Sequence, residues 1–465
     1  MTDVLSNKTT IDRFSEVTLI EVLDARETRV RVQREMLEKN GCPLVCFTMN
    51  IAGPRKTSLL IERAFRYGLD RLKEGLKDSE ITEKRIEYNK CGPIAYLSVK
   101  CNAVGIKKIC TEIEESNSLG RLFDIDVIDV DGKKLERAVE RSCIVCGALG
   151  RACAAGRLHS VEELQKKTFD IICGHFEEND PDMIAELARK SLVEEVETTP
   201  KPGLVDLANN GSHRDMEPDT FKRSADAILP YFTKCVRIGI KSKNDSPESC
   251  FERLRKAGIN AEKSMLEATG CVNTHKGIIY SMGVLLGAVG RLWQPHCPVA
   301  ELNGIFVECA ALTAESSKKD LAEIDGRTAG GRLYLMNGER GIRGEVADGF
   351  PSVKNIALPV YRKCIEEGRT KNDAGVITLL HLIASIYDTS VFNRGGEEGV
   401  AYARAKAKET LAEIYSVPAS NTFASVDKLD QLFITKNLSP GGAADLLAIT
   451  YLLASLENID TRKYW

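Results

Sequence analysis

Between Thr198 and Asp215 the chain reads Thr-Thr-Pro-Lys-Pro-Gly-Leu-Val-Asp-Leu-Ala-Asn-Asn-Gly-Ser-His-Arg-Asp, setting Lys201, Asp206, His213, Arg214 and Asp215 among turn formers. A surface connector needs the Pro and Gly residues. It has no physical reason to gather titratable groups of both signs behind an acidic segment that ends at Glu197. The stretch therefore reads as a binding or catalytic site. A second arrangement lies far upstream, at Phe123-Asp124-Ile125-Asp126-Val127. On a strand, alternate residues share a face about 6.5–7 Å apart, so Asp124 and Asp126 can turn toward one divalent cation. Magnesium bridging two carboxylates and a polyphosphate suits that geometry. A charged strand edge that discourages aggregation is the plainer account of a bare Asp-x-Asp pair.

Two further patterns bear on the upstream region. Thr48 to Ser58 reads as a strand, then a Gly53-Pro54 turn, then Arg55, Lys56 and a Ser before a helix. Such a helix start with two cations can hold a phosphate. Cys143, Cys146, Cys153 and His159 have the types and spacing to surround one tetrahedral zinc ion. A cysteine-rich turn with His159 opening the next helix accounts for the same residues, and the abundance of cysteine favours that account.

The elements that must carry these groups divide the chain. At 465 residues it exceeds the size at which one core stops growing, which implies two domains. Residues 1–16 are expected to be a flexible terminus. Residues 17–172 alternate helical and extended patterns, with strands at Pro43–Ile51, Pro93–Val99 and Leu122–Val130. Residues 173–182 break into polar residues around Pro181 and are expected to be a linker. Residues 183–465 carry helical spacing almost throughout. The expected fold is an α/β domain followed by an all-α domain of many helices.

Composition narrows the function classes. With 64 basic and 67 acidic residues the formal charge is −3, which leaves no basic footprint for nucleic acid or for a polybasic membrane contact. The apolar run Ile278–Val289 is too short to span a bilayer and reads as a buried helix. A polar amino terminus and fifteen scattered cysteines point to reduced thiols in the cytoplasm.

Several motifs then carry a resemblance. Leu23-Asp24-Ala25-Arg26-Glu27, Thr48 to Ser58, Gly120 to Val127 and Arg141-Ser142-Cys143-Ile144-Val145-Cys146-Gly147 resemble, in order, those of holo-[citrate lyase acyl-carrier protein] synthases. That resemblance implies a nucleotidyltransferase-like domain in which a serine of the apo carrier protein attacks triphosphoribosyl-dephospho-CoA and pyrophosphate leaves. Asp124 and Asp126 match its acidic pair and would carry the metal. Ala52 and Thr57 depart from the expected Pro and Asn.

The Thr198–Asp215 segment is similar to triphosphoribosyl-dephospho-CoA synthases, as are Val272 to Gly277, Gly341 to Pro351 and Asp388 to Gly396; Ser390 departs from an expected Asn. The implied reaction joins the ribose 2′-hydroxyl of dephospho-CoA to C1′ of the ATP ribose and expels adenine. Such chemistry needs a base, help for the leaving purine, and cations on the triphosphate. On this reading Lys201, Arg214, Asn273, His275, Lys276, Arg343 and Arg394 bind substrate or phosphate. Asp206, Asp215 and Asp388 hold magnesium, and Glu345 or His213 serves as base. Gly341 to Gly349 is expected to be a loop. The rivals are the same two reactions for a malonate decarboxylase carrier protein, and a nucleotide sensor without turnover.

Overall fold

The computed structural model describes residues 13–137, 139–322, 334–336, 338–416 and 423–459. Residues 1–12 of the expected flexible terminus lie outside them. The chain divides into two compact units, Met1–Glu178 and Asn179–Trp465.

In the first unit, Thr18 and Glu21 form a reciprocal capping box at the start of α1 (Leu19–Asn40). Strand β1 (Leu44–Met49), helix α2 (Leu59–Gly75), the hairpin β2 (Glu80–Asn89) and β3 (Gly92–Lys100), helix α3 (Ala103–Glu115) and β4 (Phe123–Ile128) follow. The sheet order is β2-β3-β1-β4, with every pairing antiparallel. The α/β expectation holds. Strand β2 escaped the sequence reading because Glu-Ile-Thr-Glu-Lys-Arg-Ile-Glu-Tyr-Asn has no apolar run. It is an edge strand, where charges are favoured because they discourage pairing with another chain.

The two sheet faces have different tasks. On one, Phe47 stacks on Phe65 of α2 at 4.8 Å and meets Phe123 edge-on at 5.3 Å. On the other, Val32 and Met36 of α1 close over Leu44, Cys46, Tyr96 and Ile128. Asp124 pairs opposite Thr48 and Asp126 opposite Cys46, so both carboxylates share the α1 face. Phe123, Ile125 and Val127 are buried behind them, as the alternation predicted.

After α4 (Gly150–Ala155) comes α5 (Val161–Glu197), which runs unbroken through Pro181. Residues 173–182 are therefore helical and not an irregular linker. An interior proline costs a helix one amide donor, and here the polar neighbours are engaged and not merely solvated. Asp180 accepts the Trp293 indole N–H at 2.6 Å, and Asp182 pairs with Arg237 at 3.1 Å.

The second unit continues with α6 (Pro218–Lys241), α7 (Pro247–Ala268), α8 (Lys276–Leu292), α9 (Leu302–Ala322), α10 (Gly341–Ala347), α11 (Leu358–Glu366), α12 (Lys371–Ser385), α13 (Thr389–Ser416), α14 (Ala424–Thr435) and α15 (Gly441–Ile459). Helices α6 and α8 touch backbone to backbone. A Cβ on Gly239 would stand 2.2 Å from the Gly287 carbonyl oxygen, and one on Gly290 2.2 Å from that of Val236. Helix α8 contains the apolar run Ile278–Val289 and lies inside the bundle. Among the described residues no single helix is long and apolar enough to cross a membrane. Only the pair α12 and α13, bent by 54°, reaches that length and composition together; α12 is buried in the helical core.

The expected loop at Gly341–Gly349 is instead the short helix α10, with positive φ at Gly341 and Gly349 beyond or at its ends. Burying Val346 offsets the helical cost of the glycines, and Arg340 pairs with Asp348 across the segment.

Candidate active sites

In the first unit, the end of β4 opens into a cavity of about 950 Å³. Asp124 and Asp126 line it. Asp126 is paired with Lys134 at 2.6 Å, whereas Asp124 has no hydrogen bond or ion pair among the described residues. Arg121, Arg137, Arg141, Arg151 and Arg157 line the same cavity. A buried carboxylate organises two of these arginines. Glu114 on α3 accepts the Ile125 amide at 2.9 Å, pairs with Arg137 at 3.1 Å and also holds Arg141. Arg121 donates to the Ser142 carbonyl at 2.6 Å and its hydroxyl at 3.0 Å.

The expected phosphate cations lie elsewhere. Arg55 is exposed, 4.0 Å from Glu16, and Lys56 donates to the Ile51 carbonyl at 2.6 Å. The Ser58 hydroxyl accepts the Ile61 amide, so the start of α2 is capped by its own chain. Neither Arg55 nor Lys56 lines the cavity. Of the cations that do, Lys134, Arg137, Arg141, Arg151 and Arg157 were signalled by the basic density directly after the Asp-x-Asp strand, whereas Arg121 lies just before it.

Cys143, Cys146, Cys153 and His159 converge, with one ligand atom from each lying within 4.8 Å of the others. The Cys146 and Cys153 sulfurs are 3.7 Å apart. Zinc–sulfur bonds of about 2.3 Å in a tetrahedron would put two sulfurs roughly 3.8 Å apart. The Val145 amide donates to the Cys143 sulfur at 3.4 Å. His159 Nε2 is buried without a hydrogen-bond partner, while Nδ1 lies 3.8 Å from Glu163. The helix after it begins at Val161 behind a Ser160–Glu163 capping box, so His159 is not its first residue.

In the second unit two cavities adjoin, of about 340 Å³ and 620 Å³. Asn273, Lys276, Gly277, Ser390 and Asp445 line both. Lys201, His213, His275 and Arg394 face the smaller one; Glu345 and Asp388 face the larger. Thus the four motifs identified in the sequence do meet in space.

Their individual placements differ from expectation in informative ways. Lys201 is buried and bonded to Glu195, at 2.5 Å to the carboxylate and 2.7 Å to the carbonyl. Burial pushes the Glu195 carboxyl up, against the pull of Lys201. Asp206 lines neither cavity. Its oxygens accept the amides of Lys201, Ala208 and Asn209 at 2.8, 2.8 and 3.0 Å, which closes the loop on itself. Asp388 likewise accepts the amides of Ser390, Val391 and Ala443. Arg214 and Asp215 are exposed and outside both cavities. Arg343 lies 5.9 Å from the Tyr280 ring and lines a separate cavity of about 280 Å³, together with Lys276, whose amine is 3.2 Å from Glu262.

The imidazoles and the expected bases also have partners. His275 Nδ1 meets the Ser224 hydroxyl at 2.7 Å, and burial, assisted by the Lys201 charge, lowers its pKa to about 3. His213 Nε2 meets Ser439 at 2.9 Å, and the Arg394 guanidinium lies 3.3 Å from Nδ1. Burial, then Arg394, depresses its pKa. Glu345 accepts both the hydroxyl and the amide of Ser352, and burial raises its pKa. Two residues had escaped notice. Asp430 on α14 accepts the Gly203 amide at 2.8 Å and the Asn209 side chain at 2.9 Å, anchoring the Thr198–Asp215 loop. Asp445 on α15 sits in the wall between the cavities. Neither lies in the four segments recognised in the sequence, so their positions in the fold reveal them.

Comparison with known proteins bears on both units. Residues 181–463 match the family of ATP:dephospho-CoA triphosphoribosyl transferases, and residues 17–174 match that of apo-citrate lyase phosphoribosyl-dephospho-CoA transferases. Protein CitXG of Haemophilus influenzae is 33% identical over 95% of this chain and 97% of its own length. The chain belongs to the CitXG family. Protein CitXG of Leuconostoc mesenteroides subsp. cremoris is also 33% identical, over 94% of this chain and 97% of its own. A probable 2-(5''-triphosphoribosyl)-3'-dephosphocoenzyme-A synthase of Vibrio cholerae is 39% identical over 59% of this chain and 88% of its own. Like the CitXG family, the chain is a bifunctional transferase. One part makes triphosphoribosyl-dephospho-CoA from ATP and dephospho-CoA, and the other transfers it to the apo-citrate lyase acyl-carrier protein.

Proposed function

We propose that each unit completes its own reaction in its own cavity. In the larger unit the 2′-hydroxyl of dephospho-CoA attacks C1′ of the ATP ribose and adenine leaves. In the smaller unit a serine hydroxyl of the apo carrier attacks the activated product and pyrophosphate leaves. The observation that carries this reading is the pair of adjoining cavities in the larger unit. Together they offer room for two nucleotides that meet at one wall. Lys276 and Arg394 are disposed to grip phosphates in the smaller cavity, and Arg340 and Arg404 in the larger.

In the smaller unit Asp124 and Asp126 are proposed to hold magnesium. They offer oxygen donors from one strand face, one unengaged and one held by an exchangeable lysine, which fits a hard cation. Magnesium bound there would supply neutralisation of phosphate charge. The arginines that line the same cavity are proposed to hold the remaining phosphate oxygens, with Arg137 and Arg141 steadied by Glu114. In the larger unit Asp206 and Asp388 already serve backbone amides, so magnesium is proposed to enter on the triphosphate. Cys143, Cys146, Cys153 and His159 are proposed to bind one zinc ion, supported by the orphaned His159 nitrogen. Its role is to pin the segment that carries Arg141, Arg151 and Arg157 to the cavity wall. A cytoplasmic location is supported by the substrates and by fifteen cysteines that form no disulfide among the described residues.

The test is mass spectrometry of apo citrate lyase carrier protein incubated with this protein, ATP, magnesium and dephospho-CoA. The expected result is one added prosthetic group on a serine, with adenine and pyrophosphate in the supernatant. An unmodified carrier, or one modified without adenine release, rejects the scheme. Elemental analysis after purification without chelators is expected to find one zinc per chain, lost in Cys153→Ser.

A further inference from the structure

Asp445 is the carboxylate that stands where the two cavities of the larger unit meet. It projects from α15, in the shared wall with Asn273, Lys276, Gly277 and Ser390. Unlike the other carboxylates around it, it has no hydrogen-bond or ion-pair partner among the described residues. Glu195 is tied to Lys201, Asp388 to three amides, and Glu345 to Ser352. A half-buried carboxyl without a partner carries an uncompensated desolvation cost, which persists in a fold when a ligand or a reaction repays it. The neighbouring chain makes room for it. A Cβ on Gly277, in the first turn of α8, would lie 2.1 Å from Asp445 Oδ2, so any larger residue there would displace the carboxyl. His213 and Glu345, the bases suggested by the motifs, each face one cavity.

We propose that Asp445 is a catalytic residue of the adenine-releasing reaction, donating its proton to the departing purine. The inference rests on the reading that the two cavities hold the two nucleotides. As the bond from C1′ to the purine nitrogen breaks, its electron pair goes to the purine, which takes the carboxyl proton. The 2′-hydroxyl oxygen of dephospho-CoA forms the new bond to C1′, and its proton passes to solvent, from which the carboxylate is reprotonated. Burial, followed by the nearby Glu195 and Asp388 charges, holds the Asp445 pKa well above the usual carboxylate range, so the proton is present to be given.

The experiment measures adenine release by the full chain with ATP, dephospho-CoA and magnesium, comparing wild type with Asp445→Asn. Equilibrium binding of each nucleotide is measured alongside. Release is expected to fall by about 10²–10⁴-fold, the usual contribution of a positioned acid, with both affinities kept within about threefold. ATP methylated at N7 carries a base that leaves neutral without a proton. With it, the variant is expected to recover to within about tenfold of wild type, after subtraction of spontaneous cleavage. Equal losses with both nucleotides, unchanged release from ATP, or loss of binding in parallel with release would each overturn the assignment. If Asp445→Asn fails to fold, Gly277→Ala serves, since alanine favours a helix and its methyl would lie 2.1 Å from Asp445 Oδ2 and push the carboxyl aside. It is expected to show the same selective loss with ATP, and wild-type release by it would overturn the proposal. Absence of release by wild type would reject the two-cavity reading itself, a result distinct from any of these.

Discussion

In the smaller unit Asp124 and Asp126 present their oxygens to a cavity, one unengaged and one paired with the Lys134 side chain. In the larger unit Asp206 and Asp388 give theirs to backbone amides. The difference is physical and not only topological. A side-chain ion pair at a cavity can be exchanged for a ligand at little cost, because the lysine regains water. A carboxylate that satisfies buried amides cannot leave without exposing them to a penalty of about 1–3 kcal/mol per group. The first arrangement suits groups that take part in charge transfer; the second builds the loops that shape a pocket. Acidic residues in two similar-looking motifs thus have different work.

This contrast can be broken most forcefully at Asp124. Asp124→Ala is expected to slow labelling of the apo carrier on the order of 10³-fold, as loss of several kcal/mol of charge stabilisation requires. Adenine release should be unaffected. Loss of both activities would abolish the separation of the sites. Asp206→Ala addresses the other side. It leaves three loop amides without their acceptor and is expected to destabilise the larger unit by about 2–4 kcal/mol in urea unfolding. A change below about 1 kcal/mol would show that the loop does not depend on its carboxylate.

A smaller effect concerns His275, which is buried neutral beside Ser224. Its folded pKa of about 3 lies below the ordinary histidine value of 6.5, so the unfolded chain binds the proton more readily. The contribution is full above pH 6.5 and is lost as pH falls from 6.5 toward 3, at up to about 1.4 kcal/mol per pH unit. Unfolding midpoints measured across this window should fall less steeply in His275→Asn; identical slopes would contradict the buried neutral state. The smallest effect is expected at Arg55. Arg55→Ala should change carrier labelling by less than about twofold, since an exposed cation near one carboxylate contributes little. A tenfold loss would return that turn to the phosphate site.

Local pattern reached some of this and failed elsewhere for identifiable reasons. The alternation Phe123-Asp124-Ile125-Asp126-Val127 determined which face of β4 is acid and which is core, because strand periodicity is set by the backbone. Strand β2 was invisible because an edge position rewards charge where a central one rewards hydrophobicity. Helix α10 looked like a loop because its glycines weigh against a helix locally, while the burial of Val346 is a tertiary term. The helical course through Pro181 likewise depends on partners more than fifty residues away in sequence, Trp293 and Arg237.

The residue types at the two sites, the order of an α/β and then an α-helical part, and the joint presence of four motifs in the larger part were all written in the chain, since each depends on neighbours a few positions apart. Which cations share a cavity with the Asp-x-Asp pair, the convergence of Cys143, Cys146, Cys153 and His159, and the lone placement of Asp445 were decided only by the tertiary structure. Distance and desolvation belong to groups brought together from remote positions, and no local spacing encodes them.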